Sequence, residues 1–485
     1  MQIVKKMLLW WVGAIAAFAA LVVSLQVVYK LTPSALSPET VRLNERAALL
    51  PTVTENGYRA YGLLAPKDAD PAAYGRCLID ANDAHRAERQ ALAATMPASN
   101  DKAAYDAYWK KYADRDTAAL VRCLNGGARV QLPKALADLR IKLGIEPEQW
   151  RLLSAVEPDP LIVARAEAVW AGGPRRLGVA IDAPIPPMQA LLQLEHWRTA
   201  RAMQTWQSGE RMQAVAERNR SINDWVKSAD DSLISAMIST VSLSQIVIAM
   251  QDAMARSERV DDATAAAALA ALASIELMPK AVANTMLVEW QMTSELVRSM
   301  PQLPSRLFSA GDDAPGLFSR LLDQVGPLTF DVNDTLNYMA RGKRQAELSV
   351  MAAAQGEPLP TQAAPETLTQ FCGALGEWEY ACLPLLRNPT GRILALIAVP
   401  SYTVYGVRIA DLRNLAAATR LTIEARRRAV SGDALANVVT NAPAGLRDVF
   451  TQKPFAYDPV AKQLKIELRT KSNVLGDNGV YSLKL

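Results

Sequence analysis

Ser99-Asn100-Asp101-Lys102 has the Ser-x-x-Lys spacing with which some acyl enzymes set a lysine amine one helical turn from a serine hydroxyl, where it can take the proton. The match stands alone, without partner motifs. Ser99 follows Pro97 and precedes a helical pattern, which is the position of an N-cap. Two acidic groups, Asp230-Asp231 and Asp331-x-Asn333-Asp334, could offer oxygens to a metal or to a proton transfer. Each also sits where a helix starts, and there carboxylates satisfy free N–H groups and the positive dipole end. Gly476-Asp477-Asn478-Gly479 could hold calcium through oxygens, but Asn-Gly is equally a turn signal. The two histidines, His85 and His196, lie far apart in sequence and nothing links them. His85 is flanked by Arg86, Glu88 and Arg89 and reads as exposed, whereas His196 adjoins Trp197 and reads as packed. None of these groups is assigned to catalysis, to a cofactor or to a metal.

The remaining reactive side chains are four cysteines, Cys77, Cys123, Cys372 and Cys382, an even number compatible with an oxidising compartment. Cys77 and Cys123 lie at comparable distances on either side of Pro97. In an antiparallel helical hairpin they face one another, so a Cys77–Cys123 disulfide is expected, with two unpaired buried cysteines as the alternative. Cys372 and Cys382 would stand about 15 Å apart on one continuous helix. Gly373 and Gly376 could break that helix and let them bond.

The elements that carry these residues read as helices. About Asp70–Met96 and Ser99–Leu124 flank Pro97. Four more follow at Met188–Gln207, Glu210–Val226, Asp230–Arg256 and Ala263–Met278, with prolines marking the breaks. Met188–Gln207 reads as amphipathic. Ser37-Pro38-Glu39 looks like a helix start, Pro51 to Asp70 like a turn-rich stretch, and Asn388-Pro389-Thr390-Gly391 like the start of a long helix reaching Val430. Gln463–Arg469 alternates Leu464, Ile466 and Leu468, which makes a β-hairpin with Pro454–Tyr457. The expected fold class is therefore mainly α, stacked antiparallel helices with a small C-terminal β-hairpin. The domains expected are 1–30 (cytoplasmic tip and anchor), 31–350 (helical extracytoplasmic domain), 351–366 (flexible loop or hinge) and 367–485 (C-terminal helical segment with the hairpin).

Lys5 and Lys6 precede an uncharged run from Met7 to Tyr29. Its 23 residues would span about 35 Å as a helix, enough to cross a bilayer core of roughly 30 Å. Trp10, Trp11 and Tyr29 lie near its ends, where aromatic rings favour the interface. The competing reading is a cleaved signal peptide, with Ala17-Phe18-Ala19 as the small-residue site. The lipid bilayer is thus the expected partner of Met7 to Tyr29, with the N-terminus cytoplasmic and the body in the periplasm. A second uncharged stretch, Leu233–Met250, is borderline in length, carries four serines, and is expected to be a buried core helix.

With 53 basic against 49 acidic residues, net +4 over 485, no nucleic acid is expected as a partner. Half the residues are hydrophobic and 21% are charged, which suits a large buried core and not disorder. Ala216–Met254, Asn56-Gly-Tyr with Gly62-Leu-Leu-Ala-Pro66, and Arg387-Asn-Pro-Thr-Gly-Arg392 resemble recurring stretches in single-pass, membrane-anchored periplasmic proteins of proteobacteria to which no activity is assigned. The resemblance implies layout and location only. The expected role is binding an envelope protein partner or scaffolding. The alternatives are an enzyme whose carboxylates meet between helices, or a secretion or transport accessory.

Overall fold

The computed structural model describes residues 20–50, 53–93, 123, 127–137, 147–172, 186–299, 330–355, 357, 387–388, 391–392, 395, 400–430, 433–469 and 480–484. Residues 7–19, Pro97, Ser99, Lys102, Cys372, Cys382 and 476–479 lie outside them, as does the side chain of His85. Among the described residues the chain is mainly helical, with one three-stranded antiparallel sheet near the C-terminus. It divides into two compact units, each discontinuous in sequence. The first is Met1–Ala48, Trp290–Gln345 and Thr361–Thr403, and the second is Leu49–Glu289, Ala346–Pro360 and Val404–Leu485.

In the first unit, α1 (Ala20–Leu31) is apolar and leaves Leu21, Val23, Val27, Val28 and Leu31 exposed. Helix α2 (Pro38–Ala48) starts at the expected Pro38, and the Ser37 hydroxyl accepts from the Thr40 amide as its cap. Asn44 on α2 accepts hydrogen bonds from the Trp290 indole at 3.1 Å and from Arg298 at 2.9 Å.

The second unit begins with a helix. The stretch from Pro51 to Asp70 is not only turns: it holds α3 (Glu55–Tyr61), capped by Thr54, whose hydroxyl accepts from Gly57 N–H. Gly57, Gly62 and Pro66 hide this helix from propensity. Two glycines explain its packing against α4 (Pro71–Ala93). A Cβ at Gly62 would run into the Pro71 carbonyl, and one at Gly75 into Tyr58 backbone, so the two helices meet backbone to backbone. Cys77 on α4 is disulfide-bonded to Cys123, with Cα atoms 5.8 Å apart. The short helices α5 (Lys134–Ala137) and α6 (Pro147–Ser154) lead to α7 (Pro160–Ala171). Buried Arg165 on α7 donates to the carbonyls of Ala65, Pro66, Lys67 and Ala69, gathering the loop after α3.

Then come α8 (Met188–Gln207), α9 (Arg211–Ser228), α10 (Leu233–Ala255), α11 (Asp262–Ala273) and α12 (Met278–Ser299). Leu191, Leu194, Ile222, Trp225, Leu243, Ile246 and Ala268 are almost wholly buried and form the centre of this unit. Helix α10 begins at Leu233 and not at Asp230. Its cap is Ser232, whose hydroxyl accepts from Ser235 N–H, a contact that suits a β-region residue directly ahead of the first turn. The helical stretches Leu233–Ala255 and Asp262–Arg298 are each long and apolar enough to cross a membrane. The first is mostly buried inside the protein and carries buried Ser235, Ser239, Ser242 and Ser244. The second is interrupted by a 3-10 turn at Ser274–Leu277.

Helix α13 (Val332–Gln355) runs into the stretch expected to be a loop from Met351, because the alanines after Met351 continue its pattern. The long helix expected from Asn388 is α14 (Pro400–Arg427), followed by α15 (Asp433–Thr440). The hairpin is β1 (Ala456–Asp458) and β2 (Gln463–Glu467), with Ala456 opposite Lys465. A third strand, β3 (Val480–Lys484), adds to β2 with Ile466 opposite Tyr481. Leu464 and Ile466 are fully buried, while Lys465 and Glu467 between and beside them are exposed, as a one-sided sheet requires.

Candidate functional site

Helix α8 is expected to be amphipathic, and Gln189, Arg201 and Gln204 are exposed, yet the polar residues of its middle turns are buried. Glu195, His196, Arg198 and Thr199 are all buried, Glu195 and His196 at 1% exposure. The reason is tertiary: α9 presents Arg218 and Asp224 to one side of the helix, and α10 presents Gln245 to another.

Glu195 is the centre of this network. Its Oε1 accepts from Arg218 Nη1 at 3.0 Å and from the Thr199 hydroxyl at 3.2 Å. Its Oε2 accepts from Arg198 Nη1 at 3.3 Å. Arg218 Nη1 also donates to the Thr199 hydroxyl at 2.6 Å, so that oxygen accepts from the arginine and donates to the glutamate. Arg198 reaches Asp224 Oδ2 at 3.4 Å and Glu167 Oε1 at 3.6 Å, and its guanidinium lies 4.2 Å over the Trp170 ring. Glu195, Arg198 and Thr199 stand at i, i+3 and i+4, one helical face.

Two cations and three carboxylates share this space. Burial pushes the Asp224 carboxyl up, against the pull of Arg198. Burial opposes the charge on Arg198, but Glu195, Glu167 and Asp224 together outweigh it and raise its pKa. Burial lowers that of Arg218, with Glu195 opposing. His196 is pushed down by burial, against its hydrogen bond with Gln245 and the charge of Glu195, which favours the neutral ring. Among the described residues its Nδ1 has no hydrogen-bond partner.

A cavity of about 20 Å³ lies beside the network, room for one or two water molecules. Its walls include Met203 and Trp206 from α8, Val215 and Arg218 from α9, and Met250 and Met254 from α10. None of its walls is a carboxylate. Glu195 and Asp224 are engaged by arginines and do not line this cavity. Among the described residues no group of three or more His, Cys, Asp or Glu side chains is placed to hold a metal.

The second polar cluster lies in the first unit and is built on Asp331, Asn333 and Asp334. Asp331 caps α13: its Oδ1 accepts from Asp334 N–H at 3.0 Å. Its Oδ2 accepts from Ser34 N–H at 3.0 Å and pairs with Arg387 at 3.3 Å. Burial pushes this carboxyl up, but the amides of Asp334 and Ser34 and the charge of Arg387 outweigh it and hold it below its ordinary value. Asn333 donates to the Ser34 carbonyl, and Asn337 donates to Ala35 O and accepts from Ser37 N–H.

The Arg387–Arg392 motif closes the cluster. Asn388 sits in the left-handed region at φ 55° and is 2% exposed. Its Oδ1 accepts from Asp331 N–H and Gly391 N–H, and its Nδ2 donates to Asp334 and Thr335. A Cβ at Gly391 would collide with Thr335 and Asn388 side chains. Asp331 and Asp334 are thus engaged by amides and arginines.

Asp231, at the end of the turn before α10, is buried. Sequence reasoning missed Glu195, Arg198, Arg218 and Asp224. The signal was present in Leu194-Glu195-His196-Trp197-Arg198, charges set among apolar residues with no surface face to hold them. In comparisons with protein families, with characterised proteins and with solved structures, nothing matches this chain.

Proposed function

We propose that this protein is an envelope protein held in the inner membrane by Met7 to Tyr29, with its helical body in the periplasm binding other proteins or scaffolding an assembly. The observation that carries the membrane part is the exposed apolar surface of α1. Leu21 and Val28 are more than half exposed and Leu31 is 76% exposed. A contiguous apolar surface of this kind marks a membrane or protein contact. The Cys77–Cys123 bond suits an oxidising compartment. The Glu195 network supports a structural role for the body, since its charges engage one another and its neighbouring cavity is water-sized.

Fractionation of cells with alkaline extraction, followed by protease treatment of spheroplasts, tests the placement. The body should stay with membranes and be digested from the periplasmic side. Recovery in the soluble fraction would overturn it. Crosslinking in intact cells tests the binding role, and a reproducible envelope partner is the expected result.

A carboxylate-based enzyme is the second reading, favoured by the burial of Glu195 and Asp224 around one arginine. It requires a hydrolytic activity that disappears in a folded Glu195→Gln variant.

A further inference from the structure

The chain leaving α1 does not continue as a free tether. Every step from Tyr29 to Ser37 except Leu31, Pro33 and Leu36 is held by a named side chain or carbonyl of the first unit. Arg387 stacks 5.8 Å from the Tyr29 ring and donates to Thr32 O. Lys30 Nζ reaches Phe330 O at 3.5 Å. Asp331 and Asn333 take the amide and carbonyl of Ser34, and Asn337 takes Ala35 O and Ser37 N–H. Asn337 also accepts from the Thr40 hydroxyl, so its hold reaches into α2.

These contacts satisfy backbone groups that a linker would otherwise give to water. They come from a helix N-terminus and from Arg387–Arg392, whose Asn388 fixes Asp331, Asp334 and Thr335 in turn.

We propose that residues 29–37 are a locked strap, which makes α1 and the rest of the first unit one mechanical piece. The strap rests on the reading of α1 as part of an anchor only for its biological meaning. Its closure is a property of the fold. When closed, a tilt or rotation of the anchor is passed directly to α13 through Asp331, Asn333 and Asn337. When open, residues 32–37 become a flexible tether and that coupling is lost.

Hydrogen exchange on the full chain in detergent micelles, read by mass spectrometry over 32–40, tests this. Ser34 and Ser37 amides should exchange at least about tenfold more slowly than an unstructured chain. Asp331→Ala should remove the protection at Ser34 and Asn337→Ala that at Ser37, while amides inside α9 stay protected. Gly391→Ala should loosen Ser34 by displacing Asn388, which fixes Asp331. If Asp331→Ala also exposes α9, Asn337→Ala and the wild-type rates still decide the matter. Random-coil exchange at Ser34 and Ser37 in the wild type would overturn the proposal, as would unchanged protection in folded variants. A soluble chain with a closed strap would sink the anchor and leave the strap standing.

Discussion

Glu195→Leu is the perturbation that most directly tests how the second unit is held together. The carboxylate is 1% exposed and accepts from Arg218, Arg198 and Thr199. Its removal leaves Arg218 with Thr199 as its remaining hydrogen-bond partner in the network, in a place where burial already works against its charge. Arg198 keeps Asp224 and Glu167. Breaking one partner out of a buried ionic group costs about 3–5 kcal/mol, because the other charge stays buried and uncompensated.

Unfolding entropy scales at about 2.1 cal/mol/K per residue, so in a unit of well over three hundred residues each kcal/mol moves Tm by roughly 1.5 °C. The expected fall is about 4–8 °C. Glu195→Leu combined with Arg218→Met replaces the pair with apolar groups of similar volume and should recover much of that loss. The coupling between the two sites should exceed about 1.5 kcal/mol. Circular dichroism melts and urea titrations of the full chain in detergent read both quantities. A single variant within about 2 °C of the wild type would refute the reasoning, as would a double variant equal to the sum of the singles.

Burial pushes the Tyr481 hydroxyl up to about 12, so the folded state keeps its proton where the unfolded state loses it. The stability this contributes is complete below pH 10 and is lost between about pH 10 and 12; Tyr481→Phe should flatten that loss, keeping up to about 2 kcal/mol more stability than the wild type near pH 12. Asp331 runs the other way: its lowered pKa gives stability that is full above its ordinary value of 3.8 and lost as pH falls through the folded value. Asp331→Ala should remove about 1–2 kcal/mol at neutral pH, with a shallower acid transition. Reducing Cys77–Cys123, which are 46 residues apart, should lower stability by about 2–4 kcal/mol in denaturant titrations with and without reductant. Gly75→Ala should cost about 1–3 kcal/mol by forcing α3 and α4 apart, read as a lower urea midpoint.

Helix α8 shows how far the sequence can be read. Its ends at Met188 and Gln207 fall where Pro187 and Ser208-Gly209 put them. What surrounds it could not be read, because Arg218 is about one helix away and Gln245 two, and their arrival buries the polar side. Asp331 was legible as a cap, since capping is local. Its grip on Ser34 was not, being a contact across 297 positions. Ser232 does not stand out as the cap in the sequence, because two aspartates stand beside it and cap equally well in principle. Strand β3 escaped notice because Val480–Lys484 is five residues long and pairs with a hairpin already complete in itself.

Helix α10 has a consequence for how the protein is made. For a body exported as proposed, Leu233–Ala255 passes the translocation channel before any tertiary contact exists. At that moment it is judged only by its partitioning into lipid. Its length and apolar content bring it close to the threshold for lateral release. Ser235, Ser239, Ser242, Ser244 and Gln245 raise the cost of release, and once folded they are covered by neighbouring helices. Replacing those serines with leucine would strengthen a stop-transfer signal during export as well as overpack the folded core.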